Sequence, residues 1–341
     1  MTVTDQPEAG VVLPLNYLPW HAAARGRLAG ALTGGRMPHA LLLHGADGLG
    51  KERFAATLAA ALLCGRLASD LVPCGECADC LLSRAGSHPD LHWLRRPEDR
   101  KSIGVDAVRD ACEQLGMTSL RGGHRVAIVV PADLMTTSAQ NAFLKTLEEP
   151  APRTLLVLVT ARPSRLAATL RSRCQRIEIA RPAEADGLDW LRVELGFEPP
   201  RDLLTLAGGA PLRAVELAPH YAALEEQMSG LLEDLLSGRA EVTRAAADMV
   251  GDGLGARLDW LEWRLSALLR GRLLQDATHV RIPGAAQLQR AAAEVNMEAV
   301  FRCVSRLREI RRLLEGPAAP QLLVEALLLE TVAAFRRQGV A

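Results

Sequence analysis

Apolar positions in the first half of the chain follow two rhythms. Short runs at Leu41 to Leu43, Arg125 to Val130 and Thr154 to Thr160 are almost uninterrupted and read as buried strands. Asp90 to Leu94 and Gln175 to Ile179 add two more. Between them, apolar residues recur three and four apart, which predicts helices. These are Asn16 to Leu32 (a lead-in and a helix anchored by Trp20), Arg53 to Leu63, Val105 to Leu115, Ser138 to Glu148 and Ser164 to Ser172. Pro150 and Pro152 stop the fourth. Strands alternating with helices imply a parallel sheet covered on both faces.

The rhythm changes at Arg181-Pro182, after which only helical spacing is found. Gly187 to Leu217 is compact and broken at Gly208-Gly209, and longer helices follow at Leu254 to Leu274, Met297 to Leu314 and Gln321 to Arg337. The last is apolar around most of its girth, including Leu322 and Leu329, so burial on several sides is expected. Three domains result: residues 1–180 as an α/β domain, 181–220 as a small helical domain and 221–341 as an all-α bundle. Residues 1 to about 13 lack periodicity and read as a loose arm.

At 341 residues the chain exceeds one ordinary core, consistent with that division. Lys+Arg and Asp+Glu both number 40, which excludes a protein held on nucleic acid by bulk charge, though not a local basic patch. No basic-then-apolar leader and no run of membrane-spanning length is present, so the expected location is cytoplasmic, with no membrane partner. Seven cysteines in that setting suit thiols or metal ligands better than disulfides.

Candidate chemistry gathers at three places. After the first strand, Gly45, Gly48, Gly50 and Lys51 lie in a glycine-rich turn that matches G-x-x-x-x-G-K and precedes a helix. That is the layout of a P-loop, whose backbone N–H groups and lysine cradle phosphates. The Ser or Thr that would hold Mg²⁺ is replaced by Glu52. Hydrolysing P-loop proteins also end a second strand in acids, where this chain has Val130-Pro131 and only a more distant Asp133. With two Mg²⁺-handling positions lost, the expectation is a nucleotide-binding fold without chemistry. Second, Cys64, Cys74, Cys77 and Cys80 form C-x9-C-x2-C-x2-C, a set suited to a closed, structural Zn²⁺ site. Third, Arg173 lies in Leu170-Arg171-Ser172-Arg173-Cys174, between a helix and the last strand.

These segments, with Ser87-His88-Pro89-Asp90, Gly104 to Arg109 and Asn141 to Pro150, resemble the AAA+ clamp-loader subunits of bacterial DNA polymerase III, in particular the delta-prime family. The resemblance is strongest between Trp20 and Ile179 and weaker at Arg257 to Leu261 and Leu322 to Leu329. It implies an AAA+ P-loop domain with a zinc module at residues 64–80, a helical lid and a helical collar that holds an oligomer together. The implied partners are gamma/tau and delta subunits and, through the complex, the sliding clamp and primer–template DNA. By the same resemblance the chain does not hydrolyse ATP. It supplies Arg173 as a finger to a neighbouring gamma/tau ATP site, and Thr160 and Arg213 fall at the sensor positions. The persistence of Gly45, Gly50 and Lys51 leaves two readings open: ATP binding without turnover, or glycines retained for backbone geometry. Two other classes compete, an ATP-hydrolysing gamma/tau-type subunit and a freestanding zinc-containing DNA-binding protein. The first lacks its Mg²⁺ residues. The second meets Glu76 and Asp79 and little positive charge before Arg84.

Overall fold

The computed structural model describes residues 14–274, 296–314 and 316–335. The expected N-terminal arm, and Arg336 and Arg337 of the last expected helix, lie outside the described residues. The chain divides into two compact units: residues up to Gly187 with Ala210–Arg213, and Leu188–Gly209 with the residues from Ala214 onward.

The first unit holds five strands, β1 (Ala40–His44), β2 (Leu91–Arg95), β3 (Arg125–Val130), β4 (Thr154–Thr160) and β5 (Gln175–Glu178). They form one sheet in the order β2-β3-β4-β1-β5, and every pairing is parallel. Its helices are α1 (Ala22–Thr33), α2 (Lys51–Leu63), α3 (Ala78–Arg84), α4 (Val105–Gly116), α5 (Thr137–Glu148) and the short α6 (Ala168–Arg171). The period of two along a strand decides what each face meets. Leu41 and Leu43 of β1 join a core with Leu28 of α1 and Phe54 and Leu58 of α2. Ala40 and Leu42 join the opposite core with Val108 of α4 and Phe143 of α5. Each fully buried leucine contributes about 1.5–3 kcal/mol, so burial on both faces draws β1 into the sheet interior.

Most boundaries lie within two residues of the sequence reading, and two differences have a clear physical cause. The second strand begins at Leu91 instead of Asp90, whose buried carboxylate accepts hydrogen bonds from the Ser119 hydroxyl and the Leu120 and Arg121 N–H groups. The helix expected over Ser164 to Ser172 is a 3-10 turn at Pro163–Arg165, a break, and then α6. Leu166 is buried in the α5 face, and the Ala167 N–H donates to the Gln140 side chain at 2.7 Å, so tertiary contacts replace helical ones there.

The second unit is helical, with no strand among its described residues. It contains most of α7 (Glu184–Leu195), α8 (Arg201–Leu206), part of α9 (Pro211–Leu217), α10 (Tyr221–Ser237), α11 (Val242–Met249), α12 (Leu254–Leu274), α13 (Met297–Leu313) and α14 (Pro320–Phe335). Trp260 and Leu265 of α12, Leu307 of α13 and Leu327 of α14 are central to its core. Leu322 and Leu329 of α14 are 66% and 58% exposed, so the apolar girth of that helix is only partly covered within the chain. Buried Arg264 lies beside the rings of Trp260 and Trp263 and pairs with Glu225, which also accepts the Trp260 indole N–H. No described helix is long and apolar enough to cross a membrane.

Candidate functional site

The turn after β1 has the backbone of a phosphate cradle. Gly45, Gly48 and Gly50 all have positive φ, and Gly50 caps the N-terminus of α2. A Cβ at Gly48 would lie 2.5 Å from the Arg213 Cβ, and the Leu212 N–H donates to the Gly48 carbonyl at 3.1 Å. The structure thus brings the Arg213 backbone against the loop. From the other direction, the Trp20 indole and His21 Nε2 both hold the Leu49 carbonyl, at 3.0 and 2.9 Å.

The groups that would meet a nucleotide are engaged internally. Lys51 is 8% exposed, and its ammonium donates to the Ala46 carbonyl at 2.7 Å and to Asp47 Oδ1 at 3.3 Å. Glu52, in the first turn of α2, pairs with Arg95. Arg95 is the register partner of Val130, so this pair reaches from α2 to the strand end where acids were expected and not found. The Arg95 guanidinium also lies over the Trp93 ring, 4.6 Å from its centroid. Thr160 ends β4 beside His44; its hydroxyl donates to Asp133 at 2.6 Å and accepts the Arg162 N–H at 2.8 Å. Asp133 therefore comes next to the strand ends despite its offset in sequence, but it serves as the acceptor for Thr160.

The four cysteines of the insertion converge. Their sulfurs all lie within 4.8 Å of one another, with Cys64–Cys77 at 3.8 Å and Cys74–Cys80 at 3.9 Å. Tetrahedral zinc with thiolate bonds of about 2.3 Å needs sulfur separations of about 3.8 Å, so the residues fit the ion. Gly75, at φ 78°, turns the chain between Cys74 and Cys77, and the Cys77 and Cys80 N–H groups donate to the sulfurs of Cys74 and Cys77. Hydrogen bonds from the Glu76 and Cys77 backbone draw the Cys74 thiol down to about 6, whereas burial pushes Cys80 up. Burial acts to raise the Cys77 thiol, but hydrogen bonds from Cys80 and the Gly65 backbone together outweigh it and the thiol is lowered. With all four positions filled by protein, such a metal would be structural. Asp79 of α3 pairs with Arg121 and lies 3.4 Å from His88, which joins the module to the loop held by Asp90.

Arg173 stands apart from both. Buried Leu170 and Cys174 pin the chain on either side of it, and the Ser172 hydroxyl donates to the Thr169 carbonyl. Its side chain is 36% exposed, and its guanidinium donates to the Thr169 carbonyl at 2.9 Å and to Glu148 at 2.6 Å. Asp47, Arg95 and Glu148 were not singled out by sequence reading. A four-residue spacing from Lys51 was the available signal for Asp47. Glu148 lies within the Asn141 to Pro150 motif, which gives it no role of its own, and no local pattern signals Arg95.

The chain is similar in sequence to known proteins over most of its length. A family model described as DNA polymerase III, delta subunit, matches residues 20–183. The DNA polymerase III subunit delta′ of Pseudomonas aeruginosa is 38% identical over 265 residues, covering 76% of this chain and 79% of that protein. The Escherichia coli subunit of the same name is 33% identical over 320 residues, covering 92% and 95%. A solved gamma subunit-related protein from Thermotoga maritima is 20% identical, covering 92% of this chain and 100% of that one, with a TM-score of 0.46. Both of these curated relatives are named as subunits of DNA polymerase III. The chain belongs to the delta-prime subunit family.

Proposed function

We propose that the chain is the non-hydrolysing delta-prime subunit of a clamp loader, joined to gamma/tau and delta subunits, which together place a sliding clamp on primer–template DNA in the cytoplasm. One observation carries this reading: the Lys51 ammonium is engaged by the chain's own Ala46 and Asp47, and Glu52 by Arg95, while Arg173 stands partly exposed on a pinned turn. The chain would hydrolyse nothing itself. Residues 1–180 serve as the AAA+ domain, 181–220 as its lid and 221–341 as the collar. The exposed Phe301, Leu322 and Leu329 suit packing of that collar against other subunits. Zinc held by Cys64, Cys74, Cys77 and Cys80 supports the insertion.

Arg173 acts in a neighbouring ATP site. As water bonds to the γ-phosphorus, the bridging oxygen leaves with its electron pair on the diphosphate, and charge spreads over the phosphoryl oxygens. A guanidinium remains charged throughout and meets two of these oxygens at once. Fingers supplied in trans contribute on the order of 10³–10⁵ in rate at the site served. The test is Arg173→Ala in a reconstituted complex. Assembly and zinc content should be unchanged, while clamp- and DNA-stimulated hydrolysis and clamp loading fall. Loading at the wild-type rate across ATP concentrations refutes the assignment.

A further inference from the structure

The partner of Arg173 is in an unusual place. Glu148 is the last residue of α5, and Glu149 follows it as the C-cap. A helix C-terminus carries partial negative charge, so carboxylates there are disfavoured by about 0.3–1 kcal/mol each. Lys145 is the basic residue of that last turn, yet the ion pair found for Glu148 is to Arg173, 25 residues on. Pro150 ends the helix directly after these acids. Glu148 is thus unfavourable for its own helix and favourable for the arginine.

The hydrogen bonding of Arg173 shows what the pair does. A guanidinium has five N–H groups. One on Nη1 goes to the Thr169 carbonyl and one on Nη2 to Glu148, which leaves three for an incoming phosphate. The two acceptors come from different elements, the carbonyl from α6 and the carboxylate from the end of α5. A side chain with four rotatable bonds is thereby fixed at its tip while still 36% exposed. Bound at one carboxylate oxygen, the guanidinium loses none of its charge.

We infer that Glu148 is the positioning residue of the Arg173 finger: it orders the guanidinium before the partner's phosphate arrives. The inference rests on the proposed role of Arg173. Order set in advance lowers the entropy lost on reaching the transition state, so it raises turnover more than substrate binding.

The experiment is a double-mutant cycle in the full complex, reconstituted with its ATPase and delta-type partners. Glu148→Ala should lower kcat about two- to fivefold at the site this chain serves, the range an exposed ion pair supports, with KM for ATP unchanged. Glu148→Gln, which keeps an acceptor oxygen without charge, should recover part of that loss. Adding Glu148→Ala to Arg173→Ala should cause no further fall, because the carboxylate acts only through the arginine. Wild-type turnover in Glu148→Ala, or losses that multiply in the double variant, overturn the inference while leaving the finger intact. If Arg173→Ala itself has no effect, the underlying reading fails instead.

Discussion

Acidification should weaken this protein through His21, and the size of the effect follows from its setting. His21 is fully buried; its Nδ1 accepts the Leu18 N–H at 3.2 Å and its Nε2 donates to the Leu49 carbonyl at 2.9 Å. Both bonds are satisfied by the neutral ring protonated at Nε2. A second proton at Nδ1 would confront the Leu18 donor with another donor. Burial first, with help from nearby Arg53 and against the Leu49 hydrogen bond, holds the ring down at about 4. The unfolded ring takes its proton near the ordinary 6.5. Above about pH 6.5 both states are neutral and the full contribution is present; between there and about 4 the unfolded state gains a proton that the folded state refuses, so stability falls with pH. That gap corresponds to about 3 kcal/mol, fully lost below the folded value. Denaturant melts of the wild type and of His21→Gln, taken from about pH 7.5 down to about 4.5, should diverge, the wild type losing more. His88, His92 and His124 are also lowered by burial and remain in both proteins, so they cancel in the difference. Parallel curves, or an NMR titration of the His21 ring centred near 6.5, refute the reasoning.

Gly48→Ala should destabilise the chain by about 2–4 kcal/mol even without nucleotide, because its φ of 74° and the Arg213 backbone N 2.8 Å from the new Cβ both oppose a side chain; a shift in denaturant midpoint checks it. Elemental analysis of anaerobically purified protein should find one zinc per chain, and Cys77→Ser should release it while the helical signal of the second unit persists. Finding no zinc in the parent protein removes the site. The isolated chain should show no ATP turnover, since Glu52 is paired with Arg95 and Val130 and Pro131 offer no metal ligand. Robust hydrolysis abolished by Lys51→Ala would contradict this.

Much of the fold was visible in sequence because its signals are local. The three central strands β1, β3 and β4 lie in nearly unbroken apolar runs, and the close cysteine spacing marks four thiols that can reach one ion. What stayed hidden depends on the order of strands in the sheet. Glu52 and Arg95 are 43 residues apart and meet only because α2 starts beside the end of β2. Glu148 and Arg173 require α5 and α6 to pack side by side. The break at Leu166 was missed because helical spacing continues through it, whereas burial against α5 decides the backbone. The exposure of Leu322 and Leu329 shows the opposite limit: an apolar pattern marks what tends to be covered without saying which chain covers it.

The inward turn of Lys51 sets a competition. A dissolved phosphate meets an ammonium that already has two tethered acceptors, the Ala46 carbonyl and the Asp47 carboxylate, both within five residues of it in the chain. Short flexible tethers hold such groups at an effective concentration on the order of millimolar. A free nucleotide must displace them, and it brings its own negative charge toward Asp47 and Glu52. The loop therefore carries its own ligand.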